Sequence, residues 1–268
     1  MKPIIKWAGG KRQLLPILRI PEYHGIYYEP FVGGGAVLFE YAPKNAIIND
    51  INPHLCNMYV AIRDRAIQVL GVLRELEQPV TESIYQDNRN FFNRCSSEDG
   101  FVMAAYFIWL NHHCFNGVYR ENSKGEFNVP WNKDPRVLEI DRENILAVSE
   151  YLKSVHIYCG DYQEIFEDVS PDDFVFLDPP YDKITNGSFT KYNKSDFGEQ
   201  DQKNVADLCR RIDLSGARFI ATNHDTPLIR ELYSAYHIEQ VNVRRSVSRS
   251  DNRTGTEVII RNYEGVVT

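Results

Sequence analysis

The residues best suited to chemistry are Asp178, Pro179, Pro180 and Tyr181, which follow the apolar run Phe174–Leu177. That run predicts a buried strand, which must end here because proline cannot donate to a sheet ladder. In an open α/β sheet, ligands bind at the carboxyl ends of the strands. The Asp178 carboxylate and a backbone carbonyl freed by the prolines are two acceptors, enough for both hydrogens of an aromatic exocyclic amine. Tyr181 offers a face on which the ring can stack.

Such an amine is a poor nucleophile because its lone pair is delocalised into the ring. Holding both of its hydrogens pushes the nitrogen towards tetrahedral geometry, and the lone pair can then point at an electrophile. The residues from Asp178 to Tyr181 therefore predict group transfer to a planar nitrogen. An ordinary strand that ends in a Pro-Pro turn has the same pattern, so the surrounding motifs decide between the two interpretations.

A second motif is typical of a nucleoside cofactor site. The predicted strand Gly25–Glu29 is followed by the glycine loop Pro30–Gly35, a helix over Ala36–Tyr41 and the strand Ala46–Asp50. A glycine loop brings backbone close to a ligand, and an acid that ends the next strand can accept from ribose hydroxyls. The spacing is not the dinucleotide fingerprint, and Glu29 would repel a pyrophosphate. A cofactor with adenosine and a cationic centre fits better.

Two smaller features add to this site. Asp161 follows the predicted strand Val155–Cys159 and could accept from an adenine amine. Near the amino terminus, Trp7 and Lys11 flank a Gly-Gly turn, where the aromatic could cover a ligand while the lysine meets a carboxylate. A plain surface turn explains the second feature equally well.

Composition describes an ordinary globular protein of 268 residues, 43% hydrophobic and 25% charged. No apolar run approaches membrane-spanning length, and we expect neither a membrane partner nor a secretion signal. Five scattered cysteines without a Cys-x-x-Cys pair indicate reduced thiols in a cytoplasm. His112, His113 and Cys114 are adjacent and cannot share one helix face, so no metal site is expected.

The net charge of -7 argues mildly against a nucleic-acid partner, but the charge is unevenly distributed. Basic residues without any acid occupy positions 1–20, and a second basic island spans 244–253 with Asp251 as its one acid. These islands are compatible with a local groove for a polyanion. Ordinary solvated surface is the alternative.

The fold class predicted from this order is α/β, with a helical insertion in the sheet. Helices are predicted over Asn52–Leu76, Thr81–Cys95 and Glu98–His113, followed by a polar hairpin or loop over 116–136. Residues 1–54 and 141–268 would form the sheet domain, and residues 55–140 the insertion. Later segments predicted are a flap over 182–198, helices Glu199–Ile212 and Thr226–Tyr236, a strand Arg218–Thr222, and closing strands around 244–253. A short helix is also expected around Leu14–Leu18.

Together, these pieces resemble the DNA adenine (N6) methyltransferase family, close to the Dam group that methylates adenine in GATC. The resemblance runs from Lys6 to about Tyr263. Its motifs are Lys-Trp-Ala-Gly-Gly-Lys, Glu-Pro-Phe-Val-Gly-Gly-Gly, Asn-Gly-Val-Tyr-Arg, Gly-Glu-Phe-Asn-Val-Pro, Asp-Pro-Pro-Tyr, Thr-Asn-His-Asp and Arg-Arg-Ser. The glycine motif precedes the catalytic motif, with a recognition segment between them, which is the arrangement of the α group.

The resemblance implies a Rossmann-like fold, S-adenosyl-L-methionine as methyl donor and double-stranded DNA as partner, with the target adenine flipped out of the helix. The catalytic residues it implies are Asp178, Pro179, Pro180 and Tyr181. The cofactor residues are Trp7, Lys11, Glu29, Phe31, Gly33, Asp50, Asp161, Tyr162 and Asp178. The DNA-binding residues are Lys6, Arg89, Phe115, Asn116, Arg120, Asn122, Arg244 and Arg245. We expect a monomer in solution.

Two other functions are compatible with the residues. The grip at Asp178 suits any planar amide-like nitrogen, so an amine of RNA, a free base or a protein glutamine could be the substrate. A non-catalytic DNA-binding module that keeps the fold is the other alternative. The helical insertion, Arg120 and the basic islands favour duplex DNA, and an intact Asp178 beside a complete glycine loop favours catalysis.

Overall fold

A sheet of seven strands lies at the centre of the molecule. The structure is a computed structural model, and it describes residues 1–95, 100–166, 168–183, 197–244 and 254–264. The strands are β1 (Tyr27–Glu29), β2 (Ala46–Asp50), β3 (Val155–Cys159), β4 (Phe174–Leu177), β5 (Arg218–His224), β6 (His237–Arg244) and β7 (Thr254–Arg261). Their order is β3-β2-β1-β4-β5-β7-β6. Strands β1 to β5 are parallel, whereas β7 is antiparallel to both β5 and β6. The predicted Rossmann-like α/β fold is confirmed.

Helices cover both faces of this sheet and form the insertion. They are α1 (Ala36–Tyr41), α2 (Pro53–Glu75), α3 (Glu82–Arg94), α4 (Gly100–His113), α5 (Arg142–Leu152), α6 (Glu199–Leu214) and α7 (Pro227–Leu232). Short 3-10 turns occur at Lys11–Gln13, Leu15–Ile17, Phe115–Gly117 and Tyr162–Ile165. None of the helices in the described ranges combines the length and apolar character that crossing a membrane requires.

Strand β4 is buried on both faces, as its continuous apolar sequence predicts. Because side chains alternate along a strand, Phe174 and Phe176 pack into the cluster that contains α2 and α4. Val175 and Leu177 pack into the opposite cluster, with α6 and α7. This packing fixes the position and direction of the strand that ends at Asp178.

Polar caps explain where several helices begin. Asn52 precedes α2, and its Oδ1 accepts from the backbone N–H groups of His54 and Leu55 over 3.0 and 3.2 Å. Pro53 then occupies the first helical position, where its missing N–H leaves no bond unmade. Thr81 and Asp141 cap α3 and α5 in the same way. The sequence therefore encodes these starts locally.

Most predicted elements are confirmed, with some differences. Strand β5 continues to His224 instead of Thr222, and α6 continues to Leu214 instead of Ile212. The predicted first strand starts at Tyr27 instead of Gly25. The helix expected around Leu14–Leu18 is the 3-10 turn Leu15–Ile17, which follows a first such turn at Lys11–Gln13. Pro16 lacks the N–H with which a regular helix would continue from the first turn. The predicted helix over Thr226–Tyr236 ends at Leu232, before β6 begins at His237. Helix α5 was not predicted.

The insertion shares its core with the sheet domain. Helix α2 packs against α4 on one side and against α5 and β3 on the other. Buried residues of α2, α3, α4 and β4 belong to one continuous cluster. The division at residue 55 remains a prediction, and in the structure α2 is common to both parts. The predicted flap over 182–198 lies mostly outside the described residues.

Candidate active site

The predicted catalytic residues lie where the strand order changes direction. Strand β1 lies between β2 and β4, so successive connections from this point leave towards opposite ends of the sheet. The crevice outside the carboxyl ends of such strands is where ligands bind in open α/β folds. Asp178 directly follows β4, the glycine loop follows β1 and Asp50 ends β2. The fold therefore brings the two predicted motifs to one edge.

Asp178 is held by two side chains. Its Oδ2 lies 2.8 Å from Lys11 Nζ, and its Oδ1 accepts from Thr222 Oγ1 over 2.6 Å. The Lys11 side chain is only 7% exposed, and its Nζ also donates to the Gly9 carbonyl and lies 4.6 Å from the centre of the Tyr181 ring. The carboxylate that Lys11 meets in this structure is that of Asp178.

Bonds on the far side fix the loop after Asp178. The Pro180 carbonyl accepts from Gln202 Nε2 over 2.8 Å. The Tyr181 hydroxyl donates to Glu257 Oε2 over 3.0 Å, and its ring meets His224 edge-on at 4.8 Å between centroids. Burial, followed by the charge of Asp178, raises the pKa of Tyr181 well above its ordinary value. Tyr181 is therefore a neutral ring at physiological pH.

The glycine loop is shaped by Trp7. Gly33 has a φ of +48°, and a Cβ added there would lie 2.7 Å from Trp7 Cδ1. The Gly33 N–H donates to Asp50 Oδ2 over 3.1 Å, and Tyr59 donates to the Gly33 carbonyl over 2.7 Å. Trp7 also stacks on Tyr119, with ring centroids 6.1 Å apart. The predicted cofactor residues Trp7, Gly33 and Asp50 are therefore neighbours.

Glu29 and Asp50, the acids at the ends of β1 and β2, differ in their exposure. Asp50 is partly exposed, accepts from the Asn52 N–H over 2.9 Å, and has its pKa raised by burial to about 6. Glu29 is only 2% exposed and accepts from the Tyr27 hydroxyl over 2.7 Å. Burial raises the pKa of Glu29 to about 8. In this structure the Glu29 carboxylate is turned against Tyr27 inside the protein, and its role in the ligand pocket stays a prediction.

The remaining cofactor candidates lie beside this edge. The Phe31 and Tyr162 rings are in contact, with centroids 4.8 Å apart. Asp161 is exposed and uses Oδ1 to accept from the Gln163 N–H. Ile51, directly after Asp50, is 60% exposed. Carboxylate acceptors beside apolar and aromatic surface fit an adenosine group with a cationic centre. These residues do not suit a pyrophosphate, because the Gly33 N–H of the loop already donates to the Asp50 carboxylate.

Three of the predicted DNA-binding residues, Lys6, Phe115 and Asn116, lie at the turn after α4. Asn111, 3% exposed, bonds to both the N–H and the carbonyl of Lys6 and donates to the Gly117 carbonyl. Phe115 is 43% exposed on this turn, and Asn116 has a φ of +55°. The turn and the Lys6 segment are thus fastened together.

The polar segment that follows holds the predicted base contact. Arg120 is exposed, and its Nε donates to Asn128 Oδ1 over 2.7 Å. Asn122 bonds to Glu126 across the tip of the segment. Arg89 is partly buried and donates to the Val129 carbonyl and to Gln86, so in this structure it supports the segment from below. Arg244 ends β6, but its side chain and all of Arg245 lie outside the described part of the chain.

Comparison with known proteins decides the family. The family model of the D12 class N6 adenine-specific DNA methyltransferases matches residues 7–247. The chain belongs to this family. The type II methyltransferase M.MjaIII of Methanocaldococcus jannaschii is 38% identical over 98% of this chain and 99% of its own length. The type II methyltransferase M1.LlaDCHI of Lactococcus lactis subsp. cremoris is 36% identical over 98% and 96%. A DNA adenine methylase of Salmonella typhi is 31% identical over 100% and 97%.

The recognition of an adenine-specific DNA methyltransferase is thereby confirmed, and so is its enzyme class. The described residues contain no group of three or more His, Cys, Asp or Glu side chains that could hold a metal ion. Individual site residues in this methyltransferase remain predictions, supported by the geometry given above.

Several residues of the methyltransferase site were not predicted. Gln202 had a detectable signal, since it shares a helical face with Val205, Ala206 and Cys209, all of them buried. A polar residue at such a core position needs a hydrogen-bond partner. Thr222 and Asn223 belong to the Thr-Asn-His-Asp motif, but their partners could not be read from it. Glu257 and Asn111 were not predicted either, because Tyr181 and Lys6, to which they bond, are far away in sequence.

Proposed function

We propose that this methyltransferase transfers a methyl group from S-adenosyl-L-methionine to the exocyclic amine of an adenine flipped out of duplex DNA, within GATC. The observation that carries the proposal is the position of Asp178. It ends β4 at the point where the strand order changes direction, beside the glycine loop and Asp50. Its side chain is 18% exposed, so a substrate can reach it only from the crevice.

The cofactor would be held by the residues at the ends of β1, β2 and β3. When bound, S-adenosyl-L-methionine supplies a methyl group on a cationic sulfur. Asp50 would accept from the ribose hydroxyls, Asp161 from the adenine amine, and Phe31 and Tyr162 would provide aromatic surface. The Asp50 pKa of about 6 leaves this carboxylate ionised at neutral pH, which is the form that accepts both hydroxyls.

Asp178 would grip the target amine without losing its protein partners. Each carboxylate oxygen can accept more than one hydrogen bond, so Oδ1 can accept from Thr222 and from the amine together. The Pro179 carbonyl would accept the second hydrogen, since the Pro180 carbonyl already accepts from Gln202. Lys11 beside Asp178 stabilises the charged carboxylate. The same carboxylate is placed to take the hydrogen that the nitrogen releases after methyl transfer.

The limited access to the Asp178 carboxylate is the reason to propose base flipping. The amine of a stacked adenine cannot enter a crevice in which Asp178 is mostly covered, so the base has to leave the helix. The exposed ring of Phe115, at the end of α4, is suited to wedge into the space that the base leaves. The resemblance places a tyrosine at or next to this position in many Dam enzymes, and both residues offer an apolar face.

Residues 55–140 would form the target-recognition domain, with Lys6 adjoining it. Arg120 presents a planar fork that matches the two acceptors on a guanine edge in the major groove. Its bond to Asn128 restricts the side chain before DNA binds. Asn122, Asn116 and Lys6 would contribute further contacts, whereas Arg244 and Arg245 would meet phosphates.

One experiment tests the function and its alternatives. The purified chain is incubated with labelled S-adenosyl-L-methionine and, in separate reactions, plasmid DNA, RNA, free adenine and a protein extract. Methylated nucleosides from the DNA are then identified and their positions sequenced. We expect N6-methyladenine in GATC only. Label in RNA or protein would show that DNA is not the substrate, and methylation at another sequence would show that GATC is not the target. DNA binding without methyl transfer would refute catalysis.

A further inference from the structure

Behind the catalytic loop, two buried carboxamides form a continuous chain of hydrogen bonds. Gln202 on α6 and Asn223 on β5 are each 1% exposed. Gln202 donates through Nε2 to the Pro180 carbonyl over 2.8 Å and accepts through Oε1 from Asn223 Nδ2 over 2.9 Å. Asn223 Oδ1 then accepts from the backbone N–H of Asp182 over 2.9 Å. The chain therefore begins and ends on one loop, Pro180–Asp182.

The backbone atoms at its ends fix the direction of this chain. A carbonyl can only accept and an N–H can only donate. Gln202 must therefore present its NH₂ group to Pro180, and Asn223 must present its oxygen to Asp182. The N–H of His224 donates to the same Asn223 oxygen over 2.9 Å, which agrees with that orientation. Neither carboxamide can be turned round without placing two donors or two acceptors together.

The restraint on the Pro180 carbonyl also limits the preceding peptide, because Pro180 is a proline. The ring of Pro180 locks its φ angle, so ψ of Pro180 is the one soft torsion between the Pro180 carbonyl and the peptide that carries the Pro179 carbonyl. Fixing the direction of the Pro180 carbonyl therefore also limits where the Pro179 carbonyl can point. Asp178 is fixed separately, by Thr222 and Lys11.

We infer that Gln202 and Asn223 are positioning residues for methyl transfer, which aim the Pro179 carbonyl at the target amine by holding the loop from behind. The inference rests on the proposed function, because it concerns the second acceptor of the same amine. Neither residue touches the substrate. Their removal should therefore lower the rate of transfer and leave the affinities for cofactor and DNA nearly unchanged.

The test uses two substitutions of Gln202 in the full chain. Gln202→Met removes both hydrogen bonds at similar volume, and we expect kcat to fall roughly 10- to 100-fold at every pH, as a small misplacement of a reacting group typically does. In Gln202→Glu the protonated acid can still donate to Pro180, but the carboxylate cannot. Its kcat relative to the unmodified enzyme should therefore recover as the pH is lowered from about 8.5 to about 6, the range in which a buried glutamate titrates.

Measuring each variant relative to the unmodified enzyme at the same pH cancels titrations that both share. The charged or titratable groups nearest the loop include Tyr181 within it, the adjoining Asp178 and the Lys11 paired with Asp178. The others are Asp182 and Glu257, which bond to Thr226 and Tyr181, and His224, whose Nδ1 lies 2.6 Å from the Asp182 carbonyl. The matched control is Gln200→Glu, since Gln200 is exposed on the same helix and donates through Nε2 to Asn204 Oδ1 over 3.1 Å. It should keep the kcat and pH profile of the unmodified enzyme.

Thermal unfolding of each variant shows whether the fold is kept over the pH range. A kcat for Gln202→Met within about twofold of the unmodified enzyme would overturn the inference. So would a loss confined to KM, or a Gln202→Glu variant whose relative kcat does not rise at low pH while its fold is intact. Failure of the unmodified enzyme to methylate adenine would instead refute the proposed function, so the two failures are distinguishable.

Discussion

At the scale of single residues, Asp178 combines two tasks that compete for its oxygens. It anchors Lys11 and Thr222 inside the protein and would also bind the target amine. The ion pair with Lys11 is largely buried, so removing the carboxylate leaves an ammonium with the Gly9 carbonyl and the Tyr181 ring as its contacts. A substitution at Asp178 is therefore expected to affect both catalysis and local structure.

Asp178→Ala should abolish methylation, while cofactor binding falls less steeply. Loss of one charge-assisted acceptor weakens binding of the amine by about 1.5–3 kcal/mol, and its wrong orientation adds to the loss of rate. Single-turnover methylation and calorimetry with S-adenosyl-L-methionine measure the two effects. Asp178→Asn keeps the shape and one acceptor oxygen, so it separates loss of the charge beside the buried Lys11 from loss of the acceptor. Near-normal turnover in Asp178→Ala would contradict the mechanism.

Arg120 is predicted to read sequence, whereas Arg245 is predicted to hold phosphates. Arg120→Ala should lower discrimination by about 1–3 kcal/mol and let methylation spread to sites altered at one base. Arg245→Ala should weaken binding to all sequences alike and reduce the salt slope by about 1. Sequencing of methylated adenines at two salt concentrations compares the variants. If Arg120→Ala loses activity evenly on cognate and altered sites, Arg120 is a phosphate contact instead.

At the scale of elements, the glycine loop should tolerate no side chain at position 33. Gly33→Ala would place a methyl group against the Trp7 ring in a left-handed backbone conformation. We expect a loss of stability of about 1–3 kcal/mol and weaker cofactor binding, because the Gly33 N–H also positions Asp50. Chemical denaturation and calorimetry measure these effects.

Gly71 provides the matched control for that substitution. It lies in α2, and nothing lies within 4 Å of where its Cβ would be. Gly71→Ala should raise stability by about 0.5–1 kcal/mol, since glycine weakens a helix interior. Equal behaviour of the two variants would mean that Trp7 does not constrain the loop.

The elements also show what could be predicted from sequence. Strands β2 and β3 have the predicted bounds, because short apolar runs with an acid or a glycine after them define strand ends locally. Helix α5 was not predicted although its signal is present: Asp141 caps it, and the buried Ile145, Val148 and Leu152 have helical spacing. The partner of Lys11 could not be predicted, since it depends on how β4 and the amino-terminal turn meet in three dimensions. Asp178 could be predicted because the prolines mark its position in the sequence itself.

At the scale of the whole molecule, burial of Glu29 makes stability depend on pH. The pKa of Glu29 is raised from 4.5 to about 8, so the folded state holds a proton that the unfolded chain has released. The free energy of unfolding should therefore fall as the pH rises from about 4.5 to about 8. Glu29→Gln keeps an acceptor for the Tyr27 hydroxyl and removes the group whose deprotonation lowers the free energy of unfolding. We expect it to be more stable than the unmodified protein at pH above 8, by an amount on the order of a few kcal/mol, and no different at low pH.

Denaturant unfolding across this pH range measures the difference. Glu40→Gln is the matched control, because Glu40 is exposed on α1. Its stability should follow that of the unmodified protein. A constant difference between Glu29→Gln and the unmodified protein at all pH values would show that Glu29 does not change protonation in this interval.

The position of Asn111 has a consequence for engineering chimeras. This one side chain on α4 bonds to Lys6 at the start of the chain and to Gly117 in the turn. Exchange of the polar segment after Gly117 between relatives would preserve that junction, because its supports stay with the recipient. Exchange that begins within α4 would separate Asn111 from one of its partners. A chimera should therefore show the donor's sequence specificity most fully when the junction lies beyond Gly117. The donor should also supply the residues at positions 85 and 89, which bond to the Val129 carbonyl.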